Sequence, residues 1–267
     1  MLKDITLGQY FPGDTVVHRL DPRTKLIALI LYIVALFSAK GWITNAIVLL
    51  VLVGMAALSR IGMRALLGGL KPLIVIVILT GILNLFYTDG TVIAQWWIFR
   101  ITQEGISRAV MMVLRILLLV CSTFLLTYTT SPLALTDALE RLLAPLKKLR
   151  FPVHELSMMM SIALRFIPTL IEETDKIMSA QKARGADFET GSLTKRAKAL
   201  LPILVPLFVS AFRRADELAT AMECRCYHGG EGRTRMKTLS MGKADAVALV
   251  LFTALAFCII LLAKKGF

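Results

Sequence analysis

Two arginines, Arg184 and Arg225, close matching stretches 41 residues apart, DKIMSAQKARG and DELATAMECRC. The same shift pairs Asp175 with Asp216, Ile177 with Leu218, Ser179 with Thr220 and Ala180 with Ala221. A guanidinium is planar, permanently charged and shaped to grip a carboxylate or phosphate with two parallel hydrogen bonds. One such group at the end of a helix offsets the negative pole of the helix dipole, worth about 0.3–1 kcal/mol. Its repetition at a second helix end points instead to two equivalent acidic pockets on something else. Two copies fall short of the three that a solenoid needs, so the arrangement is a pair rather than an array.

Other reactive residue types gather less well. The run CRCYH, Cys224 to His228, places its sulfur and imidazole groups one and two residues apart at a helix end, unlike zinc spacing, and no second cluster completes four ligands. His18 and His154 are isolated. The chain contains no glycine loop closing on Gly-Lys-Ser or Gly-Lys-Thr, so any ATP is handled by another chain. Arg115 lies well inside an apolar segment, one heptad after Arg108. An arginine at such depth is costly, and structural pairing between helices explains it better than substrate contact; Arg108 can extend to the interface. Met158, Met159 and Met160 form a soft, adaptable patch suited to a surface that accepts several partners.

The elements that carry these residues follow from composition. Of 267 residues 57% are hydrophobic, which places the chain in a bilayer. Five apolar segments are candidate spans, roughly Leu26 to Ala39, Trp42 to Leu58, Pro72 to Thr88, Ile106 to Tyr128 and Ala244 to Ala263. Lys and Arg outnumber Asp and Glu by 31 to 18, and their placement orients the chain. The segment joining the second and third spans reads as a loop with Arg60, Arg64 and Lys71 and no acid, so it and the amino terminus are expected in the cytoplasm. Lys40 and the loop carrying Trp96 and Trp97 then fall outside, the tryptophans at an aromatic belt. No transit or signal peptide is expected at the start, where Asp4, Asp14 and Asp21 mix with Arg19, Arg23 and Lys25. Cys121, Cys224, Cys226 and Cys258 are scattered as reduced thiols are, not as a disulfide framework.

Residues 131–243 hold 18 Lys and Arg against 12 Asp and Glu and divide the chain into a membrane part (1–130), a cytoplasmic part (131–243) and a last membrane helix (244–267). So long a stretch needs a fold of its own. Ser131 and Pro132 open a short amphipathic helix. A second runs from Pro152 to Ala183, with apolar spacings of three and four, and a third from about Leu193 to Cys226, bent at Pro202 and Pro206. The fold expected is an all-α, polytopic membrane protein with a unit of long helices outside the lipid.

The paired endings, in this membrane layout, resemble the transmembrane T component of energy-coupling factor importers, vitamin- and metal-uptake machines that include the membrane subunit of cobalt transporters. Ala183, Arg184 and Gly185 match that family's Ala-Arg-Gly signature in full. The second reads Cys224, Arg225, Cys226; it keeps the arginine and loses both small neighbours, and a left-handed helix end costs more with a cysteine there. HRLDPRTKL, His18 to Leu26, resembles the family's approach to its first membrane segment. The resemblance implies a non-catalytic subunit with no cofactor and no nucleic acid partner, in the cell membrane. Each arginine would enter a groove on one of two ATP-binding cassette ATPase subunits. The long helices would pass their motion to a small membrane substrate-binding S component, for which Met158 to Met160 offer a surface. A membrane enzyme would need convergent acids, histidines or a metal cluster, and a stand-alone secondary transporter inverted repeats with ionisable groups at the midplane; the segments carry almost none of these.

Overall fold

A computed structural model describes residues 10–96, 99–149, 151–186, 188, 192–230 and 239–265. It is built almost wholly of helices and divides into two compact units, one holding residues 10–138 and 239–265, the other residues 139–230, as far as they are described.

In the first unit Asp21 caps α2 (Pro22–Ser38) by accepting from the Arg23 amide, with proline at the first helical position. There follow α3 (Trp42–Ser59), α4 (Met63–Leu70) and, after one 3₁₀ turn, α5 (Ile74–Tyr87); a short helix, α1 (Val16–Arg19), precedes them. A two-stranded antiparallel hairpin, β1 (Val92–Trp96) and β2 (Phe99–Thr102), leads into α6 (Gln103–Thr129). The helix α10 (Lys243–Lys264) completes the unit and packs along α2. Tyr32, Ala35, Leu36, Val48, Leu118, Ala256 and Ile259 form its core, where α2, α3, α6 and α10 meet.

Four helical runs among the described residues are long and apolar enough to cross a membrane: Trp42–Ser59, Arg64–Tyr87, Gln103–Thr129 and Lys243–Lys264. Side chains such as Leu50, Val75, Leu79, Val250 and Phe257 stand uncovered on them, which is stable in lipid and costly in water. The other expected span is α2, whose 17 residues rise about 26 Å against a hydrocarbon core of about 30 Å. Two expected loops are structured. Most of the basic connection after α3 is the helix α4, and the chain breaks at Arg60 to Gly62, with Arg60 in the left-handed region at φ 53°. Leu66 and Ala65 pack α4 against Leu125 and Tyr128 of α6, and Gly69 lets the ring of Phe124 approach where a β-carbon would collide. The segment after α5 is the hairpin; Trp96 ends its first strand, and Trp97 lies outside the described residues.

The charged approach to α2 is a buried staple. The Asp245 carboxylate, at the start of α10, accepts from the Asp21 amide and the Gly242 amide, each at 2.8 Å. The Arg23 guanidinium donates to Asp21 at 2.9 Å and to the Leu239 carbonyl at 3.1 Å. The Lys25 ammonium donates to the carbonyls of Thr129 at 2.8 Å and His18 at 3.1 Å, closing the end of α6. Every group of HRLDPRTKL that carries charge here therefore ties helix ends together, except Arg19, which is exposed. Replacing Asp245 with alanine strips acceptors from two amides. The expected loss is about 2 kcal/mol, read as a lower thermal midpoint in detergent; an unchanged midpoint would show the staple to be idle.

Candidate functional site

The second unit is dominated by α8 (Val153–Ala183) and α9 (Leu193–Glu223), each 31 residues long. The helix α7 (Pro132–Leu143), which a 3₁₀ stretch (Ala144–Leu149) follows, runs into it from the first unit. At about 1.5 Å per residue each long helix reaches about 46 Å.

Both helices end in the same backbone motif. In α8 the Gly185 amide donates to Lys182 and the Ala186 amide to Gln181, both at 3.0 Å. In α9 the Cys226 amide donates to Glu223 at 2.8 Å and the Tyr227 amide to Met222 at 3.1 Å. Each partner in the second set is the first set plus 41, and both are the paired closure that satisfies the last carbonyls of a helix. The closure needs one residue in the left-handed region, which Gly185 supplies at φ 88° and Cys226 at φ 56°. The cysteine thus adopts the glycine's conformation in spite of its β-carbon. Arg184 and Arg225 occupy the capping position, and both are exposed, as are Ala183, Gly185, Cys224 and Cys226. Cys224 and Cys226 carry free thiols, and His228 beside them is exposed.

The two helices pack side by side in opposite directions. Gln181 donates to the Pro202 carbonyl at 3.3 Å, Ser210 to the Glu173 carboxylate, and Arg214 to Glu173 at 3.0 Å while lying 5.6 Å from the ring centre of Phe166. Partners thus run backwards in α9 as they run forwards in α8. Beyond α9 the chain returns to the start of α8: Gly230 lies against the His154 ring with no room for a β-carbon, and His154 pairs with Glu140 at 3.1 Å. The Glu173 carboxylate is held below the usual carboxylate range, chiefly by the Ser210 hydroxyl and then by Arg214 and Lys176, with desolvation opposing them.

Glu173 and Arg214 are themselves 41 residues apart, as the two tips are. Each tip lies 11 residues beyond its member of the pair (184 − 173 and 225 − 214), or about 16 Å of helix. Since the helices are antiparallel, the arginines point to opposite ends of the pair. Charge complementarity at equivalent positions is a signal the sequence carries, legible once the 41-residue shift is extended upstream of Asp175.

Met159 and Met160 are exposed and Met158 is half-buried, so the patch at the start of α8 is largely open. A second apolar surface was not evident from composition. Leu201, Val205, Phe208 and Phe212 are all exposed, Phe212 at 69%. Their spacing of four, three and four puts them on one stripe, while Ile203, Ser210 and Arg214 lie on the opposite side of the helix, toward α8 in the case of the last two. The spacing itself carries this signal in the sequence, interleaved with the two prolines that bend α9. Arg115 belongs to the first unit, where its guanidinium donates to the Ala39 carbonyl at 2.7 Å, capping α2, and stands 5.9 Å from the ring centre of Phe37.

A family model described as cobalt transport protein, CbiQ, matches residues 13–237. The energy-coupling factor transporter transmembrane protein EcfT of Acidaminococcus fermentans is 54% identical over 261 residues, covering 96% of this chain and 97% of the relative. The protein of the same name from Ruminiclostridium cellulolyticum is 52% identical over 92% of both chains. That of Bacillus subtilis is 49% identical over 96% of this chain and 98% of its own.

The backbone at the second tip generates a stability prediction. A β-carbon in the left-handed region costs about 1–2 kcal/mol, of which the greater freedom of an unfolded glycine offsets about half. Cys226→Gly is therefore expected to strengthen the end of α9 by about 0.5–1 kcal/mol, seen as slower hydrogen exchange at the Tyr227 amide. Faster exchange there would contradict the assigned closure.

Proposed function

The chain belongs to the CbiQ/EcfT family of energy-coupling factor transporter transmembrane components, and from that premise we propose that it transmits mechanical work without catalysing a reaction itself. Two ATP-binding cassette subunits receive the tips at Arg184 and Arg225, one each. Their motion on binding and hydrolysing ATP passes along α8 and α9 to a small membrane substrate-binding S component, which recognises the transported vitamin or metal ion. The observation that carries this reading is the pair of identically closed, exposed, arginine-capped helix ends. Backbone amides rather than the arginines take the carbonyls of Gln181, Lys182, Met222 and Glu223, so each exposed guanidinium is available to an acidic groove.

The same reading supplies partners for the two apolar surfaces. An exposed stripe on α9 and a methionine patch on α8 suit the flank of an apolar membrane protein, and methionine's flexibility suits several interchangeable ones. The exposed cations Arg60, Arg64 and Lys71 favour the cytoplasm for that edge of the first unit, and with it residues 131–243 and the amino terminus. A guanidinium facing several carboxylates in one of two grooves is a charge-assisted contact of about 1.5–3 kcal/mol.

Two measurements test the proposal. Arg184→Ala and Arg225→Ala are each expected to weaken capture of the ATPase subunits by about 10- to 150-fold in detergent; capture at the original affinity in both would end the reading. Phe208→Asp, and bulky branched residues at Met159 and Met160, are expected to spare ATPase capture and reduce retention of S components, unequally among different ones. Full retention would remove these surfaces from the site.

A further inference from the structure

We infer that Glu173 and Arg214 are the positioning residues of the coupling unit, a pivot lying on the approximate twofold axis that relates α8 to α9 and setting the spacing of the two arginine tips. The inference rests on the proposed function for its consequence, but its structural content stands alone.

A contact between residue i of α8 and residue j of α9 has, under the 41-residue relation, a counterpart between j − 41 and i + 41. For Glu173 and Arg214 that counterpart is the same pair. Any contact that maps onto itself in this way sits on the axis, where two identical residues would face one another. Identical charges there would repel. The chain instead places an acid in one copy and a base in the other, and Glu172 and Arg213, one residue earlier in each copy, repeat the complementarity. A pivot on the axis is also the one point about which both 11-residue arms swing equally, so a rotation at the crossing displaces the two tips by equal amounts.

The neighbourhood suits a joint more than a weld. Glu173 and Arg214 are each about one-quarter exposed, which keeps the pair weak enough to exchange. The second terminal nitrogen of Arg214 is buried with no acceptor in this arrangement, a cost that works against holding it. Pro168 in α8 and Pro206 in α9 lie near the crossing, and each deletes a backbone hydrogen bond and eases bending there. Ser210 and the Phe166 ring then hold the carboxylate and the guanidinium in line with each other.

The test uses the full chain, alone and with its ATPase subunits, carrying spin labels on non-canonical residues at 179 and 220. These positions are equivalent, exposed and five residues before each tip, and the natural cysteines stay in place. In the chain alone, Glu173→Arg and Arg214→Glu should each bring like charges together and broaden the distance distribution at least twofold. The double exchange, Glu173→Arg with Arg214→Glu, should restore its width. In the assembled transporter the single variants should keep ATP hydrolysis while substrate moved per ATP falls at least fivefold, and the double exchange should recover it. A merely structural contact would lower the thermal midpoint of the single variants and leave substrate moved per ATP unchanged. Unchanged widths in the single variants, or a double exchange no better than the worse single one, would overturn the pivot. Restored widths with capture of the ATPases indifferent to Arg184 and Arg225 would uphold the pivot and defeat the proposed function instead.

Discussion

An α-helix ends in carbonyls that its own turns cannot satisfy, and the way α8 and α9 meet that need decides where their arginines stand. In both, the amides of the next two residues fold back and take the last acceptors. The capping residue is then fixed at the outermost point of the rod, with its side chain released from backbone duty. A lysine or arginine that capped the carbonyls itself would be turned inward and spent. Here the backbone closes the helix and the guanidinium faces outward, which is the condition for a helix end to be read by another protein.

That constraint explains why the second signature tolerates two cysteines. What the geometry requires is one left-handed residue after the arginine, and glycine is the cheapest choice rather than the only one. Cys226 accepts a strain of the order of a kilocalorie per mole, small beside the stability of a 31-residue helix packed along its partner. The arginine and the closure are shared by both tips, whereas the small neighbours are not. Chemical identity at Ala183 and Cys224 matters less than the path of the chain around them.

Much of this was legible in the sequence because it depended on periodicity and on local backbone rules. Hydrophobic runs located the membrane helices, spacings of three and four gave α8 and α9, and Gly185 marked a helix end. What escaped was decided by tertiary partners. The connection after α3 looks like a basic loop, yet it is helical because Leu66 and Gly69 find α6 to pack on. The hairpin before α6 has too few residues for its strand pattern to rise above the neighbouring apolar runs. The tips were read from a 41-residue shift, but the same shift at Glu173 and Arg214 has no similarity to display, since the pair works through opposite charge. Resemblance between repeats reveals what both copies do alike and hides what each does for the other.

The division of labour over the surface of α9 follows from its helical period. The side that bears Ser210 and Arg214 meets α8, the opposite side carries Leu201, Val205, Phe208 and Phe212 uncovered, and the end carries Arg225. Four such side chains left in water forgo several kilocalories per mole of burial, at roughly 1.5–3 kcal/mol each, more than any of the exposed charges nearby can return. An uncovered stripe of that size is stable only against lipid or another apolar protein. Charge at the tips is the opposite case, because an arginine is comfortable in water and surrenders little while it waits. In the proposed function the tips would therefore engage and release within a cycle, whereas the stripe would suit an occupant that slides along or rocks against it but seldom leaves it bare. Under the proposed function, a rod with a polar end and a greasy flank holds two kinds of partner at once, and movement imposed at the end would be felt at the flank.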